Sequence, residues 1–300
     1  MFKDLIDDIK NLFVTKKQLN SFDYLNSLKE EDYPRILKKL VYEEIKERLN
    51  LSKPTTFIDK IHWLKLYDDN PLKQTFIDKV AVREWIEEQI GKEYLIPVYQ
   101  ICKDFDSVNF DELPNRFLIK ANNGERREYT IKDKAKFLQA KELFNFIKQK
   151  FDGWKQTSFC VESVFEKDYK GIDFKVFFEE IIDANEDLKF RVYCFNGDAK
   201  YSELVRTNPV ISCVYDENFK QSECNFTPRV PVEFYPPTEE MKKAFELSKK
   251  LSKDFKFVRV DWQILDGKLY FERMNFVPYF GLIIFEDEKW NKELGELIKM

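Results

Sequence analysis

The segment 256–281 carries polar side chains whose spacing suits a site for a cation and a phosphate group. Polar and apolar residues alternate in two runs, which predicts two β-strands joined by a tight turn. Because side chains two apart on a strand share a face, Arg259 and Asp261 look the same way, as do Arg273 and Asn275. A carboxylate on one strand and an amide on the other suit a hard cation that is bridged to phosphate oxygens.

Other residues of this segment define its shape. Asp266-Gly267 is a strong two-residue signal for the hairpin turn, and the chain turns again at Pro278. Glu272 is expected to point away from Arg273 and Asn275, because adjacent side chains of a strand face opposite ways. An exposed edge hairpin with a solvated charged face is the alternative interpretation of the same pattern.

The composition indicates a folded protein large enough for about two domains. The chain has 300 residues, of which 43% are hydrophobic, 35% charged and 16% aromatic. Its net charge is −4, from 50 basic and 54 acidic residues that are well mixed. We therefore expect no nucleic-acid partner, although a local basic cleft for phosphates remains possible. No apolar run approaches the ~20 residues of a membrane span, so we expect none.

The cysteine and histidine content limits which metal sites, disulfides and catalytic mechanisms the chain can support. The five cysteines are odd in number and show no CxxC spacing, which argues against a disulfide framework or a zinc site and suits a reducing cytoplasm. His62 is the single histidine, so a Ser-His-Asp triad has little scope and any Cys-His mechanism would need this residue. Its apolar neighbours favour a packed or surface helix residue over a ligand. We expect a cytoplasmic location.

Residues 1–92 are predicted to form a helical N-terminal region. Apolar residues recur at helical spacing in residues 2–13, which predicts an amphipathic helix docked on the protein body or on a partner, and again in residues 37–45. Pro54 is expected to start the next helix, and residues 75–90 are expected to form one continuous helix.

Strands and helices mix over the remainder of the chain. In chain order the pattern predicts strands at 95–101 and 117–121, a hairpin over 122–131, a helix over 132–150, strand-like runs within 158–182, strands at 189–195 and 199–205, and helices over 238–251 and 286–299. Residues 207–238 hold five prolines and are expected to be irregular. Lys120 stands inside an apolar strand, where a lysine is costly to bury unless it meets an anion.

Six motifs follow one another along most of the chain. They are PTTFIDKIHWLKLYDDNPLKQTFIDKVAVREWI (54–86), LPNRFLIKANNG (113–124), FKVFFEEII (174–182), FRVYCFNGDAKY (190–201), VYDENF (214–219) and FVRVDWQILDGKLYF (257–271). Each motif is weak alone. Their order and spacing resemble the TupA-like branch of the ATP-grasp superfamily, whose members are found in bacterial surface-polysaccharide clusters such as those for teichuronic acid.

The resemblance implies an α+β protein with the ATP-grasp fold. Two α+β subdomains, at 93–182 (small) and 183–300 (large), would enclose a nucleotide cleft and follow the helical region at 1–92. ATP is the implied cofactor, with Mg²⁺ at its phosphates. The implied activity is the ligation of a carboxylate, activated as an acyl phosphate, to an amine or hydroxyl. The substrate would be a small molecule or a glycan, with a uronic acid as one candidate.

Three basic residues take phosphate roles from the resemblance. Lys79 matches the lysine of an Asp-Lys-x-x-x-Arg motif, and Lys120 matches the lysine of the strand before the phosphate-covering loop. Arg191 matches the basic residue of a [KR]-x-x-x-Phe-x-Gly segment. These residues would stabilise the charge of the transferred phosphate during catalysis. The structural alternative for Lys79 and Arg83 is pairing with Glu87 or Glu88 on the same helix.

The resemblance also implies adenine and metal roles. Glu179 matches the hinge glutamate between the subdomains, and the adjoining Glu180 and Ile182 would bind adenine. Asp261 matches a metal-ligand carboxylate, and Asn275 matches the amide of the metal-binding strand. The nucleotide site would therefore combine one hinge, one set of basic residues and the hairpin of segment 256–281.

Two departures from the family pattern fall at the phosphate end. Members usually follow the strand lysine with Cys-Asn-His-Gly-Ser-Gly-Gly, whereas this chain keeps only Asn123-Gly124 before Glu125-Arg126-Arg127-Glu128. Side chains in place of glycines prevent the same close approach of backbone N–H groups, although Arg126 and Arg127 are able to contact phosphate. Arg273 stands where an acidic metal ligand belongs, and an arginine repels Mg²⁺.

Three interpretations of Arg273 stay open. In the first interpretation, Arg273 replaces a magnesium ion and acts in catalysis by neutralising phosphate directly. Alternatively, a β-bulge turns Glu272 into the cleft and restores metal binding. In the third interpretation the protein no longer catalyses. We favour a carboxylate ligase, with two alternatives: a non-catalytic nucleotide- or glycan-binding protein, and a sugar or small-molecule kinase.

Overall fold

The computed structural model describes residues 22–226 and 230–300. The α-helices of its first part span Phe22–Ser27 (α1), Tyr33–Ile45 (α2), Phe57–Tyr67 (α3), Leu72–Ile77 (α4) and Val82–Ile90 (α5). The helical pattern at residues 37–45 is confirmed by α2. The helix predicted at residues 2–13 lies outside the described residues.

Helix α3 begins close to its predicted start because its first turn is capped reciprocally. The Thr56 hydroxyl accepts a hydrogen bond from the N–H of Asp59 at 3.2 Å, and the Asp59 carboxylate accepts from the N–H of Thr56 at 3.3 Å. The pair satisfies N–H groups that a helix start leaves without partners. Asp59 also accepts from the N–H of Asn50 at 2.7 Å, which ties the preceding turn to the helix. This cap fixes the position of His62 and Lys65 on α3.

The predicted helix over residues 75–90 is wrong at its centre, where residues 78–81 form a turn between α4 and α5. The Asp78 carboxylate accepts hydrogen bonds from the N–H groups two and three residues later, at 2.8 and 3.1 Å, and so competes with helical hydrogen bonds. Its second oxygen accepts from the Asn122 side-chain amide at 2.9 Å. Lys79 therefore lies on a turn that is bound to the adjoining sheet.

A four-stranded antiparallel sheet follows, with the strand order β1-β4-β2-β3. Its strands span Val98–Cys102 (β1), Phe117–Ala121 (β2), Glu128–Ile131 (β3) and Val176–Glu179 (β4). Between β3 and β4 the chain forms helices Lys134–Gln139 (α6), Lys141–Gln156 (α7) and Phe159–Glu162 (α8). We call this unit the small sheet.

Three predictions for the small sheet are corrected. Residues 122–127 form a loop, so the hairpin is made by β2 and β3 and not within residues 122–131. The helix predicted over 132–150 is divided at Ala140 into α6 and α7. The strands expected within 158–182 reduce to β4, because the apolar run at its start forms α8. Short apolar runs do not distinguish a buried strand from a buried helix.

A five-stranded antiparallel sheet, the large sheet, has the order β7-β6-β5-β8-β9. Its strands span Asp187–Phe195 (β5), Asp198–Thr207 (β6), Val210–Asp216 (β7), Phe257–Leu265 (β8) and Lys268–Asn275 (β9), and its helices span Glu239–Leu251 (α9) and Glu288–Leu297 (α10). Asn196-Gly197 and Asp266-Gly267 turn two hairpins with positive φ, as predicted. Strand β7 corrects the irregular region predicted at 207–238.

Two apolar cores stabilise the two sheets. Helices α3 to α5 pack on the large sheet: the Phe57 and Phe257 ring centroids lie 5.2 Å apart, and Ile86 is buried in the same core. The small sheet has its own core, in which Phe151 and Phe178 are buried. Burial of one such side chain stabilises the fold by about 1.5–3 kcal/mol. The protein thus forms two packed bodies that face each other.

The structure bears on two expectations from composition, the state of the cysteines and the membrane-spanning capacity of the helices. All five cysteines are buried free thiols. Burial raises the pKa of Cys160 to about 11 and that of Cys194 to about 12, so these two thiols stay protonated at neutral pH. Across residues 22–226 and 230–300, no helix has the length and apolar character that crossing a bilayer requires.

Gly295 and Gly153 both lie within helices, yet alanine is expected to act on them in opposite ways. A Cβ at Gly295 would lie 2.5 Å from the Thr55 carbonyl oxygen, where α10 meets α3, whereas a Cβ at Gly153 meets no atom within 4 Å. Gly295→Ala should lower the free energy of unfolding by about 1–3 kcal/mol through overpacking. Gly153→Ala should raise it by up to about 1 kcal/mol through helix propensity. Urea unfolding measures both, and equal effects would contradict the close approach of α10 to α3.

Candidate functional site

A cleft between the two sheets brings together most of the residues predicted for the site. It encloses about 440 Å³. The lining cations are Lys79, Arg83, Lys120, Arg126, Arg191, Arg259 and Arg273, and the lining carboxylates are Glu125, Glu128, Glu179 and Glu272. Seven cations face four carboxylates in the lining, and two buried carboxylates behind it, Asp261 and Glu203, pair with Arg259, Arg273 and Arg191. A small excess of positive charge remains, which favours an anionic ligand.

The predicted site residues do not all reach this cleft. Those that line it are Lys79, Lys120, Glu179, Arg191, Arg273 and Asn275. Asp261 is buried, at 2% exposure, and contacts the lining residues Arg259 and Arg273. Glu180 and Ile182 follow the end of β4 and stand outside the lining.

Lys79 is a half-buried cation of the cleft. Its backbone N–H donates to the Asn122 carbonyl at 2.9 Å, which fixes the turn that carries it. Within the described part of the chain, the Lys79 amine makes no ion pair with a carboxylate. Burial lowers the pKa of Lys79 to about 8, and the positive charges of Lys120 and Arg273 act in the same direction. A bound anion would reverse this shift, because it would compensate all three charges.

Lys120 on β2 is neutralised by the protein itself. Its amine donates to the Glu179 carboxylate on β4 and lies 3.8 Å from Glu128. Burial disfavours the charged amine, but these carboxylates outweigh it and raise the pKa of Lys120. Arg83 also contacts Glu179, at 3.5 Å, and donates to the Ile96 carbonyl. The alternative pairing along one helix is wrong for Lys79, which lies on the turn before α5. Arg83 forms its ion pair with Glu179, while Glu87 on the same helix still favours its charge.

Asp261 holds two guanidinium groups on the large sheet. Arg259 donates to both of its oxygens, at 2.6 and 2.7 Å, and Arg273 donates to one of them at 2.9 Å. Burial alone would raise the pKa of Asp261, but the two arginines outweigh it and hold the pKa below its usual range. Arg259 and Asp261 share a face as predicted. Arg259 is itself 2% exposed, and its Nη1 has no hydrogen-bond acceptor among the described residues 22–226 and 230–300.

A second buried carboxylate, Glu203 on β6, organises the other end of the cleft. It accepts hydrogen bonds from Arg191 at 3.1 Å, from the Tyr193 hydroxyl at 3.2 Å and from the Tyr279 hydroxyl at 2.9 Å. Arg191 also donates to the Tyr279 hydroxyl at 2.7 Å. Burial and Glu203 raise the pKa of Tyr279, so this hydroxyl stays protonated and donates. Arg191 is thus fixed by two neighbours.

Sequence reasoning missed Glu203 and Tyr279, and a strand irregularity explains the first omission. A regular hairpin about Asn196-Gly197 would place Ser202 opposite Arg191. The observed bulge next to Tyr193 shifts the register by one residue, so that Glu203 stands opposite Arg191. Such a bulge leaves no clear signal in the alternation of the strand.

A second bulge corrects the expected orientation of Glu272. In the pairing of β8 with β9, Asp261 stands opposite Arg273, and the next residue, Trp262, stands opposite Phe271. Glu272 is the extra residue, and it lines the cleft instead of facing away from it. Its carboxylate lies 3.7 Å from the Lys189 amine. The bulge considered from the sequence is therefore present, and it adds a carboxylate to the cleft.

The turn Pro278–Gly281 presents Tyr279 to the cleft and is held from below by α3. Tyr279 and Phe280 adopt positive φ, at 54° and 59°. The fully buried Lys65 amine donates to the Phe280 carbonyl at 3.1 Å, and His62 Nε2 donates to the Gly281 carbonyl at 3.1 Å. A packed role for His62 is confirmed. Because these contacts fix an unfavourable backbone, α3 determines where the Tyr279 hydroxyl lies.

Residues 122–127, which we call the cleft loop, connect β2 to β3 and supply Glu125 and Arg126 to the cleft. Arg127 is 1% exposed, donates to Asn123 at 2.9 Å and Glu162 at 2.6 Å, and lies 4.8 Å from the Phe159 ring centroid. The expectation that Arg127 contacts phosphate is therefore wrong, because this arginine anchors the loop. Arg126 is exposed and lines the cleft.

The oxygen atoms near Asp261 do not fit a magnesium ion in this arrangement. Both Asp261 oxygens accept from guanidinium groups, and the Asn275 side-chain oxygen accepts from the N–H of Val277 at 3.0 Å. Across the described ranges 22–226 and 230–300, no three His, Cys, Asp or Glu side chains cluster as metal ligands would. The assignment of Asp261 and Asn275 to a metal stays a prediction.

Lys79 should titrate near pH 8, well below an ordinary lysine. Removing the charge of a neighbouring cation must raise its pKa, because that charge disfavours protonation of Lys79. We therefore expect Arg273→Gln to raise the Lys79 pKa, and the exposed Lys132→Gln to leave it unchanged. NMR titration of ¹³C-methylated lysines measures both, with Lys79→Arg identifying the signal. A Lys79 pKa above 10 in the unsubstituted protein would contradict the described environment.

Comparison with known proteins adds a family and a set of distant structures. The family model of TupA-like ATP-grasp proteins matches residues 59–299. No curated protein matches the chain. D-alanine–D-alanine ligase from Bacillus anthracis is 16% identical, with 75% of this chain and 66% of that chain covered and a TM-score of 0.46.

Two further structures are similarly distant. D-alanine–D-alanine ligase from Helicobacter pylori is 14% identical, with 80% of this chain and 68% of that chain covered and a TM-score of 0.47. N5-carboxyaminoimidazole synthase from Aspergillus clavatus is 12% identical, with 68% and 44% covered and a TM-score of 0.36. The chain thus spans about two thirds or less of the length of these structures. Likenesses this weak carry no argument about activity.

Proposed function

Because the chain belongs to the TupA-like ATP-grasp family, we propose that its cleft binds ATP and that it is an ATP-dependent ligase of surface-polysaccharide biosynthesis in the cytoplasm. The observation that carries the proposal is the cationic lining between the two sheets, in which Lys79 has no carboxylate partner in the part of the chain that the structure describes. Triphosphate is the multiply charged ligand that suits this lining. Bound ATP would supply the phosphoryl group that activates a carboxylate as an acyl phosphate.

We assign the triphosphate to Lys79, Lys120 and Arg273. Lys79 and Lys120 come from the side of the small sheet, and Arg273 comes from the large sheet, so a ligand between them would contact both bodies. Each residue would neutralise phosphate charge during transfer. Arg273 is held in place by Asp261 at 2.9 Å, and a cation fixed in this way can act where other members use a metal.

The adenine is assigned to the hinge after β4. The N–H of Glu180 donates to the Pro97 carbonyl at 2.9 Å, so it is engaged within the protein. We therefore assign the Glu180 carbonyl and the Ile182 N–H to the adenine edge. Glu179, the residue before Glu180, does not contact adenine in this assignment. Its carboxylate orients Lys120 and Arg83.

The acceptor is assigned to the end of the cleft at Arg191 and Tyr279. Arg191 is positioned by Glu203 and by the Tyr279 hydroxyl, which leaves it able to hold an anionic group beside the phosphates. The thiols of Cys160 and Cys194 are buried and protonated, which suits direct attack of the substrate carboxylate on ATP without a cysteine intermediate. A uronic acid is our candidate carboxylate, and its partner would be an amine or a hydroxyl.

ATP binding is tested by isothermal titration with and without Mg²⁺. We expect binding in both conditions, with affinities within about tenfold, because Arg273 and the lysines supply positive charge. Lys120→Ala should weaken binding at least about tenfold, because it removes one phosphate contact and leaves Glu179 facing the ligand. Lys132→Ala, which changes an exposed lysine just after β3, is the control and should bind as the unsubstituted protein does. Absence of ATP binding in both conditions would exclude the proposal.

The reaction class is tested by ADP release with candidate uronic acids and amines. A ligase should release ADP and phosphate only when the carboxylate and its acceptor are both present. A sugar kinase should release ADP and retain the phosphate on the sugar. ATP binding without any ADP release would support the alternative of a non-catalytic nucleotide-binding protein, which the paired cations and the absent glycine-rich loop also favour.

A further inference from the structure

The Glu125 carboxylate reaches across the cleft from the small sheet to the large sheet. It lies on the cleft loop, and it accepts from the Arg273 guanidinium at 3.0 Å and from the Asn275 side-chain amide at 3.0 Å. Arg273 and Asn275 both belong to β9. Glu125 therefore joins the two bodies at the place assigned to phosphate.

The two donors that hold Glu125 are fixed without it. Arg273 Nε donates to Asp261 at 2.9 Å, which leaves Nη1 directed at Glu125. The Asn275 oxygen accepts from the N–H of Val277 at 3.0 Å, which directs its amide nitrogen into the cleft. An arginine and an amide at fixed positions form a subsite for a carboxylate or a phosphate oxygen. Glu125 is the occupant of that subsite in this structure.

Glu125 differs from the three buried carboxylates that pair with cleft cations; Glu128, which lies 3.8 Å from Lys120, is exposed like Glu125 but is a residue of β3. Asp261, Glu179 and Glu203 are strand residues with side chains at most 7% exposed, whereas the Glu125 side chain is 25% exposed and belongs to a loop. The cleft loop is anchored separately, through Arg127. Glu125 can thus leave the subsite without breaking a strand pairing.

We propose that Glu125 is an internal competitor for the phosphate subsite at Arg273 and Asn275, and that a bound triphosphate displaces it. The inference rests on the proposed function for its ligand. While Glu125 occupies the subsite it holds the two sheets together and lowers the apparent affinity for the nucleotide by the fraction of molecules in which it is displaced. Glu125 thereby sets how tightly the protein binds its nucleotide.

The test compares two ligands in three proteins. Isothermal titration measures AMP-PNP and inorganic tripolyphosphate binding to the unsubstituted protein, Glu125→Gln and Glu142→Gln. Glu142 is an exposed residue of α7, so its substitution makes the same change in net charge outside the cleft. We expect Glu125→Gln to tighten both ligands by about threefold or more, since the competitor loses its charge. Glu142→Gln should bind them as the unsubstituted protein does.

The outcomes separate this inference from the proposed function. If AMP-PNP binds equally well to the unsubstituted protein and to Glu125→Gln, the competition is excluded and the nucleotide site stands. If AMP-PNP does not bind but tripolyphosphate binds more tightly to Glu125→Gln, the subsite stands and the nucleotide assignment fails. Absence of binding by both ligands in all three proteins overturns both.

A second variant and a second measurement guard against a merely structural role for Glu125. Glu125→Asp withdraws the carboxylate by one methylene and should also tighten AMP-PNP, and it decides the test if Glu125→Gln does not fold. Hydrogen exchange of the cleft-loop amides should become faster when AMP-PNP binds, because the loop loses its contact with Arg273. Slower exchange on binding would overturn the displacement.

Discussion

The charge of buried Arg259 is the constraint on which the cleft depends. A guanidinium at 2% exposure requires a carboxylate partner, because an unpaired buried charge costs several kcal/mol. Asp261 meets this requirement, and its second contact, with Arg273, orients a cation that lines the cleft. Glu203 acts in the same way on Arg191. The buried arginines of the lining are therefore held by carboxylates beneath them, whereas Lys79 has no carboxylate partner among the residues that the structure describes.

The sequence predicts correctly the features that depend on neighbouring residues. The α+β class and the ATP-grasp fold are confirmed by the family match over residues 59–299. The turns at Asn196-Gly197 and Asp266-Gly267 are confirmed because glycine and its neighbour adopt positive φ there. Thr238 caps α9 as expected, since its hydroxyl accepts from the N–H of Met241. The turn and cap signals act within a few residues, whereas the fold is indicated by the order of motifs along most of the chain.

The errors have a different physical origin, because they depend on residues distant in the sequence. The turn at Asp78 is stabilised by Asn122, 44 residues away, so the residues next to Asp78 do not predict it. The bulge at Glu272 inverts the expected direction of one side chain, since a shift of one residue exchanges the faces of a strand. Arg127 is buried by Glu162 and Phe159, which follow it by more than thirty residues. Site residues are thus named by motif, but their partners are set by tertiary packing.

The contact between Glu125 and Arg273 implies that the residue types at these two positions depend on each other. The resemblance read from the sequence implies a glycine-rich loop where Glu125 stands and an acid where Arg273 stands, and the structure places the side chains of these two residues 3.0 Å apart. Glu125 without Arg273 would lose its ion pair, whereas Arg273 without Glu125 would keep Asp261 at 2.9 Å, so the acid depends on the base more than the base depends on the acid. The two positions are therefore expected to covary among relatives: a glycine in the loop should accompany an acid at position 273, and an acid in the loop should accompany a base there. The pair would then mark a distinct lineage within the family.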